Sequence, residues 1–305
     1  MPIKLWYIYK TNSGNQYGCN REYRPHSGEQ GERFSMKEMT VQEMRQVQIA
    51  ILDHIDELCK KNGITYWIDY GTLIGAVRHK GYIPWDDDID VSMLREDFDR
   101  FVKICEEKRD DRYRLSCVEN DPECMYPFGK MIDTYTDLYE LGEDGIKTGV
   151  YVDIFVYDGA PQDKKKLEKG FRKLDFYGRW RKYQIPMKEA PLSIKRIGVL
   201  FARGFFKILP RQFFTRKIVG NAKKYADPDS DNVCALVDPY SYSHWVVKKD
   251  IFKELIDLEF EGKKYKAPKA YDEWLTIQYG DYMTIPPKEK QIRHDVKAYY
   301  NREIQ

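Results

Sequence analysis

Residues Trp67 to Met93 read WIDYGTLIGAVRHKGYIPWDDDIDVSM, and the end of this stretch decides the fold. Asp86, Asp87 and Asp88 stand in a row, and Asp90 follows one residue later. Aspartate is depleted in strands, yet Asp88-Ile89-Asp90-Val91 alternates acid with β-branched apolar residues. A strand here puts Asp88 and Asp90 on one face and Ile89 and Val91 on the other. Carboxylates at i and i+2 then lie roughly 6.5–7 Å apart, a separation that suits groups converging on divalent cations about 3.5–4 Å apart. A solvated acidic loop is the plain alternative, but such a loop has no need of Ile and Val at alternate positions. An EF-hand reading, with Asp86, Asp88, Asp90 and Asp97 at its first, third, fifth and twelfth places, fails at the sixth, where Val91 replaces the required Gly.

Upstream, Ile64–Asp69 reads as a strand, followed by Gly71-Thr72 and an apolar run of Leu73, Ile74, Ala76 and Val77. A strand, a Gly turn and a helix start present free backbone N–H groups to an anion. Thr72 adds a hydroxyl, and Arg78, His79 and Lys80 close the helix with positive charge. A Gly-Thr pair alone is an ordinary turn; it gains meaning from the paired aspartates downstream.

The run GTLIGAVRHKGYIPWDDDIDV resembles the signature of the LicD family, the phosphocholine transferases of bacterial surface glycans. The resemblance extends more loosely to YPFGKMID (126–133), YVDIFVYD (151–158) and YDEWLTIQYGDYMTIPP (271–287), with His294 beyond, so it spans roughly residues 36–295. It departs at Tyr70, where the family often has a second Gly. The family is in turn similar to the nucleotidyltransferase superfamily, which joins a Gly-Thr or Gly-Ser turn to Asp-x-Asp and a later third Asp.

That resemblance implies an α+β protein. A nucleotidyltransferase-like mixed-sheet core is expected at 36–160, after an N-terminal extension at 1–35. A mostly helical, basic part at 161–305 would cover the core and shape the acceptor site. It implies metal-dependent transfer of phosphocholine, or a similar phospho-alcohol, from CDP-choline or a related CDP-alcohol to a hydroxyl of a glycan or lipid-linked glycan. The cofactor expected is Mg²⁺, with Mn²⁺ as its substitute. Asp88 and Asp90 are the expected metal ligands. Asp153, alone among Val150, Val152, Ile154 and Val156, is costly unless paired or metal-bound; the superfamily makes it the third carboxylate, and a structural ion pair is its other reading. Phosphoryl transfer is mainly positioning and charge neutralisation. Gly71, Thr72, Arg78 and Lys130 are accordingly assigned to donor phosphate, and Arg293 and His294 to the acceptor or leaving group. Tyr82, Trp85, Tyr151 and Phe155 are the rings available for a choline cage, or simply core.

Composition limits the alternatives. Six cysteines show no CxxC and no metal-ligand spacing, and five histidines show no HxxxH, so neither a disulfide framework nor a zinc site is expected. No apolar run approaches a membrane span. The net charge of +2 hides an asymmetry, because residues 161–226 hold 19 Lys or Arg against 4 Asp or Glu. Apolar-placed thiols suit a reducing compartment, so the expected location is cytoplasmic, and the basic segment suits an anionic membrane surface, peripheral at the inner membrane face. No motif that reads nucleic acid accompanies it. Other classes remain open at this point: a GT-A-like glycosyltransferase, nucleotidyl transfer from a nucleoside triphosphate, or a non-catalytic divalent-ion-dependent adaptor.

The rest reads as ordinary packing. Thr40-x-x-Glu43 is a capping box ahead of a helix ended by Gly63. A helix is predicted at 96–107, strands at 113–118, 127–139 and 150–157, a hairpin at 257–267 and a helix from Ala270 to Tyr279.

Overall fold

The computed structural model describes residues 37–140, 147–184, 204, 206, 208–237, 245–291 and 296–302. The expectations for residues 1–35, for Arg293 and His294, and for the part of the basic segment at 185–203, 205 and 207 therefore fall outside the described residues. The fold is α+β, with six helices and twelve strands described.

The capping box and the glycine stop are both formed on α1 (Val41–Asn62). Thr40 Oγ1 accepts the Glu43 N–H at 3.1 Å, Glu43 Oε2 accepts the Thr40 N–H at 2.8 Å, and Gly63 takes φ 61°. The sheet that follows is mixed. It contains β1 (Trp67–Ile68), β2 (Asp90–Leu94), β3 (Tyr113–Ser116), β4 (Gly129–Asp133) and β7 (Tyr151–Gly159), in the order β1-β2-β7-β4-β3. Between β4 and β7 come β5 (Thr136–Glu140) and β6 (Lys147–Thr148). β2 and β7 run parallel; their neighbours are antiparallel. β8 (Asn232–Cys234) and β9 (Val246–Lys248) extend the sheet from the far end of β7.

The sheet has two different faces because strand side chains alternate. Val91 and Met93 of β2 and Val152, Ile154 and Val156 of β7 are at most 1% exposed, and α1 and α3 (Arg95–Glu107) pack on the sheet. The opposite face of β7 carries Tyr151, Asp153, Phe155 and Tyr157; Tyr157 meets Tyr70 of α2 (Tyr70–His79), and Phe252 and Trp274 among the C-terminal elements. Those elements are α4 (Lys164–Arg181), α5 (Phe213–Tyr225), the hairpin of β10 (Leu255–Phe260) and β11 (Lys263–Pro268), α6 (Tyr271–Tyr279) and β12 (Val296–Tyr300). The hairpin turns through Glu261-Gly262 with φ 51° and 75°, a type I′ pattern that matches strand twist. One buried cluster reaches from Met39 to Ala298, and β12 pairs with β5. Thus the part after residue 160 contributes five strands as well as three helices.

Three local expectations change. Asp88 is not in a strand, since β2 starts at Asp90. The carbonyls of Asp86 and Asp87 are instead taken by side chains of α1, Arg45 Nη2 at 2.5 Å and Gln48 Nε2 at 2.8 Å, so a ladder is not needed there. The strand before Asp69 shrinks to Trp67–Ile68, because Asp69 becomes the N-cap of α2. The long strand predicted at 127–139 is two, broken where Asp133 Oδ1 accepts the Tyr135 N–H at 2.8 Å, an Asx-type turn. No helix among the described residues is long and apolar enough to cross a membrane.

Candidate active site

The pairing of β2, β7 and β4 builds the centre of the site. Asp90 and Asp153 are register partners across the parallel pair, and Lys130 is the register partner of Asp153 on its other side. Register partners on neighbouring strands share a face, so an acid, an acid and a cation stand in a row. Lys130 Nζ donates to Asp153 Oδ1 at 2.7 Å. Three backbone contacts hold the row: Asp153 N–H to Ile89 O, Asp69 N–H to Asp90 O, each 3.0 Å, and Asp90 N–H to Thr72 Oγ1, 2.8 Å.

The electrostatics are those of crowded carboxylates. Burial pushes Asp90 well above the usual carboxylate range, and Asp88, Asp153, Asp86 and Asp69 push it further. No described residue donates to its carboxylate. Burial also raises Asp153, to about 6, against the pull of Lys130 and with help from Asp88 and Glu140. Asp86, Asp87 and Asp88 can each offer an oxygen within 4.8 Å of the others. Carboxylates crowded together repel one another, and a cation between them would relieve that repulsion. The chain thus supplies an all-oxygen donor set of the kind that Mg²⁺ or Mn²⁺ takes.

Asp69 is a site residue that the sequence reading missed. It is fully buried, and four donors converge on it: Tyr70 N–H at 2.9 Å, Trp67 Nε1 at 3.2 Å, Ser92 Oγ at 2.7 Å and Trp274 Nε1 at 2.7 Å. Burial raises its pKa while these donors oppose the rise. Asp69 therefore fixes the entry of α2, the start of β2 and the C-terminal helix α6 to one another. The signal was present, since Asp69 is a lone acid in an apolar run just as Asp153 is. Tyr279 of α6 also faces this site: burial raises its phenol, and Asp69, Asp90, Asp86 and Asp88 add to that.

The residues assigned to donor phosphate divide. Thr72 accepts from Asp90, as above. Gly71 lies at the positive N-terminal end of α2 against Asp86; a Cβ there would come within 2.5 Å of Asp86 Oδ2. Lys130 is at the centre. Its ammonium lies 3.3 Å from the ring centroid of Tyr151, 4.2 Å from Tyr126 and 5.6 Å from Phe128. Arg78, by contrast, donates to Tyr282 O at 2.7 Å and His79 Nε2 at 2.9 Å.

The rings also divide. Tyr82 is buried against Phe260, its hydroxyl hydrogen-bonds Gln48 Oε1 at 2.9 Å, and Arg45 lies 4.4 Å from its centroid. Trp85 lies under Arg78 at 5.9 Å, and Tyr151 under Lys130. Phe155 carries no protein cation among the described residues. It packs between Tyr70, at 4.7 Å, and Phe128, at 4.6 Å, and so forms an aromatic wall beside Asp153. Tyr70 reaches the wall from a left-handed backbone, φ 48°, with its hydroxyl 3.0 Å from that of Tyr157. A non-glycine residue in that region is strained by roughly 1–2 kcal/mol, which agrees with a glycine being common at this place in the resembling family.

A row of two buried aspartates and a fixed lysine thus stands beside a helix N-terminus and an aromatic wall. Residues 63–192 match the family described as LicD/FKTN/FKRP, nucleotidyltransferase domain. The chain is 33% identical over 272 residues, 87% of its length and 99% of the relative's, to the lipopolysaccharide cholinephosphotransferase LicD of Haemophilus influenzae. Shorter likenesses are to the uncharacterized protein RT0683 of Rickettsia typhi, 49% over 59 residues, 19% of each chain, and to the human ribitol 5-phosphate transferase FKRP, 45% over 47 residues, 15% of this chain and 9% of that one. The chain belongs to the LicD family, and with it to the phosphotransferase enzymes.

Proposed function

We propose that this protein transfers phosphocholine from CDP-choline to a hydroxyl of a lipopolysaccharide or similar surface glycan, on a nucleotidyltransferase-like core. The observation that carries the reading is the row Asp90–Asp153–Lys130 beside the wall of Tyr70, Phe155 and Phe128. The name of the Haemophilus influenzae relative supports the donor group and the acceptor class.

Asp90 and Asp153, with Asp88 and Asp86 next to them, would hold Mg²⁺ or Mn²⁺. That ion supplies charge neutralisation at phosphate oxygens when bound. Gly71 and the first turn of α2 offer backbone N–H groups to the donor phosphates. Lys130 presents a fixed positive charge where negative charge develops. Asp153 keeps one oxygen on Lys130, and its other, on the side of the ion, would take the proton of the acceptor hydroxyl. The acceptor oxygen then bonds to the phosphorus next to choline, the bond to the bridging oxygen breaks, and CMP leaves. The aromatic wall receives the quaternary ammonium, which offers no hydrogen-bond donor and is held by ring faces. Of the four rings first considered for that task, Phe155 has no protein cation over it among the described residues; Tyr70 packs on it from one side and Phe128, 5.6 Å from the Lys130 ammonium, from the other.

The test is incubation with Mg²⁺ and a panel of CDP-choline, CDP-ribitol, CDP-glycerol and nucleoside triphosphates, scoring CMP against pyrophosphate. CMP release led by CDP-choline is expected. Pyrophosphate release would mean nucleotidyl transfer, and preference for a polyol donor would replace choline while keeping the phosphotransferase.

A further inference from the structure

The outer face of α4 is not explained by the active site. Helical spacing places Lys165, Lys169, Arg172, Phe176 and Arg179 on one side, with Trp180 beside them. The first five are exposed, and Phe176 is 55% exposed although it is a large apolar ring. The opposite side buries Phe171, Leu174, Gly178 and Arg181, so this helix is already fixed to the protein without its outer face. None of Lys165, Lys169, Arg172 and Arg179 forms an ion pair with a described residue. The N-terminal half of this face is therefore basic, with Glu168 and Asp175 on its flank, and the half towards the C-terminus is aromatic.

The aromatic end continues beyond the helix. Phe176 lies 6.2 Å from Trp180, which lies 5.7 Å from Tyr183 and 5.3 Å from Phe206. Ile208, two residues after Phe206, is 81% exposed. Exposed apolar residues next to half-buried Trp and Tyr, with Lys and Arg alongside, is the composition of surfaces that lie in a membrane interface. A soluble anionic partner would account for the charge but not for the exposed Phe176 and Ile208.

We propose that this face docks the protein on an anionic lipid leaflet, with Phe176, Trp180 and Ile208 at headgroup depth and Lys165, Lys169 and Arg172 over the lipid phosphates. The docking is a property of the surface and needs no turnover, so it stands or falls separately from the transfer reaction proposed above.

Sedimentation with vesicles tests it. The full chain is mixed with vesicles of phosphatidylcholine alone or of phosphatidylcholine with phosphatidylglycerol, at low and high salt. Binding to the anionic vesicles, and its loss at high salt, is expected. A Lys165→Gln, Lys169→Gln, Arg172→Gln triple variant should partition about a hundredfold more weakly, at roughly fivefold per charge. Phe176→Ser should weaken it about tenfold or more at constant charge. Both variants alter exposed side chains, so the thermal unfolding midpoint should match the parent's, which shows that a loss of binding is not a loss of fold. Equal recovery with neutral and anionic vesicles would overturn the proposal. So would unchanged binding of Phe176→Ser together with full displacement by a soluble polyanion, a result that assigns the face to an acidic macromolecule instead.

Discussion

Asp90 and Asp153 stand opposite each other on parallel strands, yet among the described residues only Asp153 has a counter-ion, Lys130 at 2.7 Å. The two carboxylates therefore respond differently to removal of charge. Either substitution by Asn should lower turnover by roughly 10²–10³. Asp90→Asn relieves repulsion among like charges and should raise the stability of the metal-free protein. Asp153→Asn leaves the Lys130 ammonium, 4% exposed, without its carboxylate and should cost roughly 2–4 kcal/mol. From sequence alone both would be expected to stabilise; the ion pair reverses the sign for one. Thermal unfolding of both variants in chelator checks this, and equal shifts would show that the pair contributes nothing.

The raised Asp153 gives a pH dependence with a definite sign. A carboxyl held near 6 keeps a proton in the folded chain that the unfolded chain releases near 4. More protons bound in the folded state means that stability falls as pH rises through that window, and this group's contribution is constant above it. Asp90, raised further by burial and its four acidic neighbours, acts in the same direction. A bound divalent ion reverses the preference, because it needs the ionised forms. Mn²⁺ affinity measured by calorimetry should therefore fall roughly tenfold or more from about pH 7 to about pH 5. Constant affinity over that range would remove Asp153 and Asp90 from the metal-binding set.

Asp69 predicts a structural effect. Asp69→Ala leaves the donors of Trp67, Ser92, Trp274 and Tyr70 facing each other in a buried site. At roughly 1–3 kcal/mol for each unsatisfied buried group, a loss of about 4 kcal/mol or more is expected. Asp69→Asn keeps one acceptor oxygen and should cost less. Urea unfolding gives both numbers, and an alanine variant within about 1 kcal/mol of the parent would mean that water replaces the carboxylate.

Tyr70→Gly separates strain from recognition. It relieves the left-handed backbone, φ 48°, and removes the ring that packs on Phe155. Losing this buried ring costs roughly 3–5 kcal/mol and the relieved backbone returns about 1–2, so a net loss of about 2–3 kcal/mol is expected. The KM for CDP-choline should rise about tenfold, with CMP inhibition unchanged, because only the ring face is lost. A rise shared equally by CMP would place Tyr70 against the nucleotide instead.

The elements that were legible in the sequence are those set by local chemistry. The capping box at Thr40, the stop at Gly63, the I′ turn at Glu261-Gly262 and the stripe of α3 are each written in a few adjacent residues. The isolated acid Asp153 was legible because an apolar strand tolerates an acid only for a reason. What was not legible depends on partners distant in the chain. Arg78 looked free to meet phosphate until Tyr282 O, 204 residues away, took its guanidinium. The rings of Tyr82 and Trp85 look available in the sequence, but Arg45 and Arg78 lie over them. Asp88 fell out of the strand because two side chains of α1 satisfy the carbonyls of the preceding acids. Asp69 went unnoticed because its indole partner Trp274 lies far along the chain.

That last contact sets a clock on biosynthesis. Trp274 follows Asp69 by 205 residues, and ribosomes add about 5–20 residues each second. The carboxylate at the head of α2 thus waits about 10–40 s for the indole that ties it down, and through that interval the nascent enzyme has its aspartates but not its finished centre.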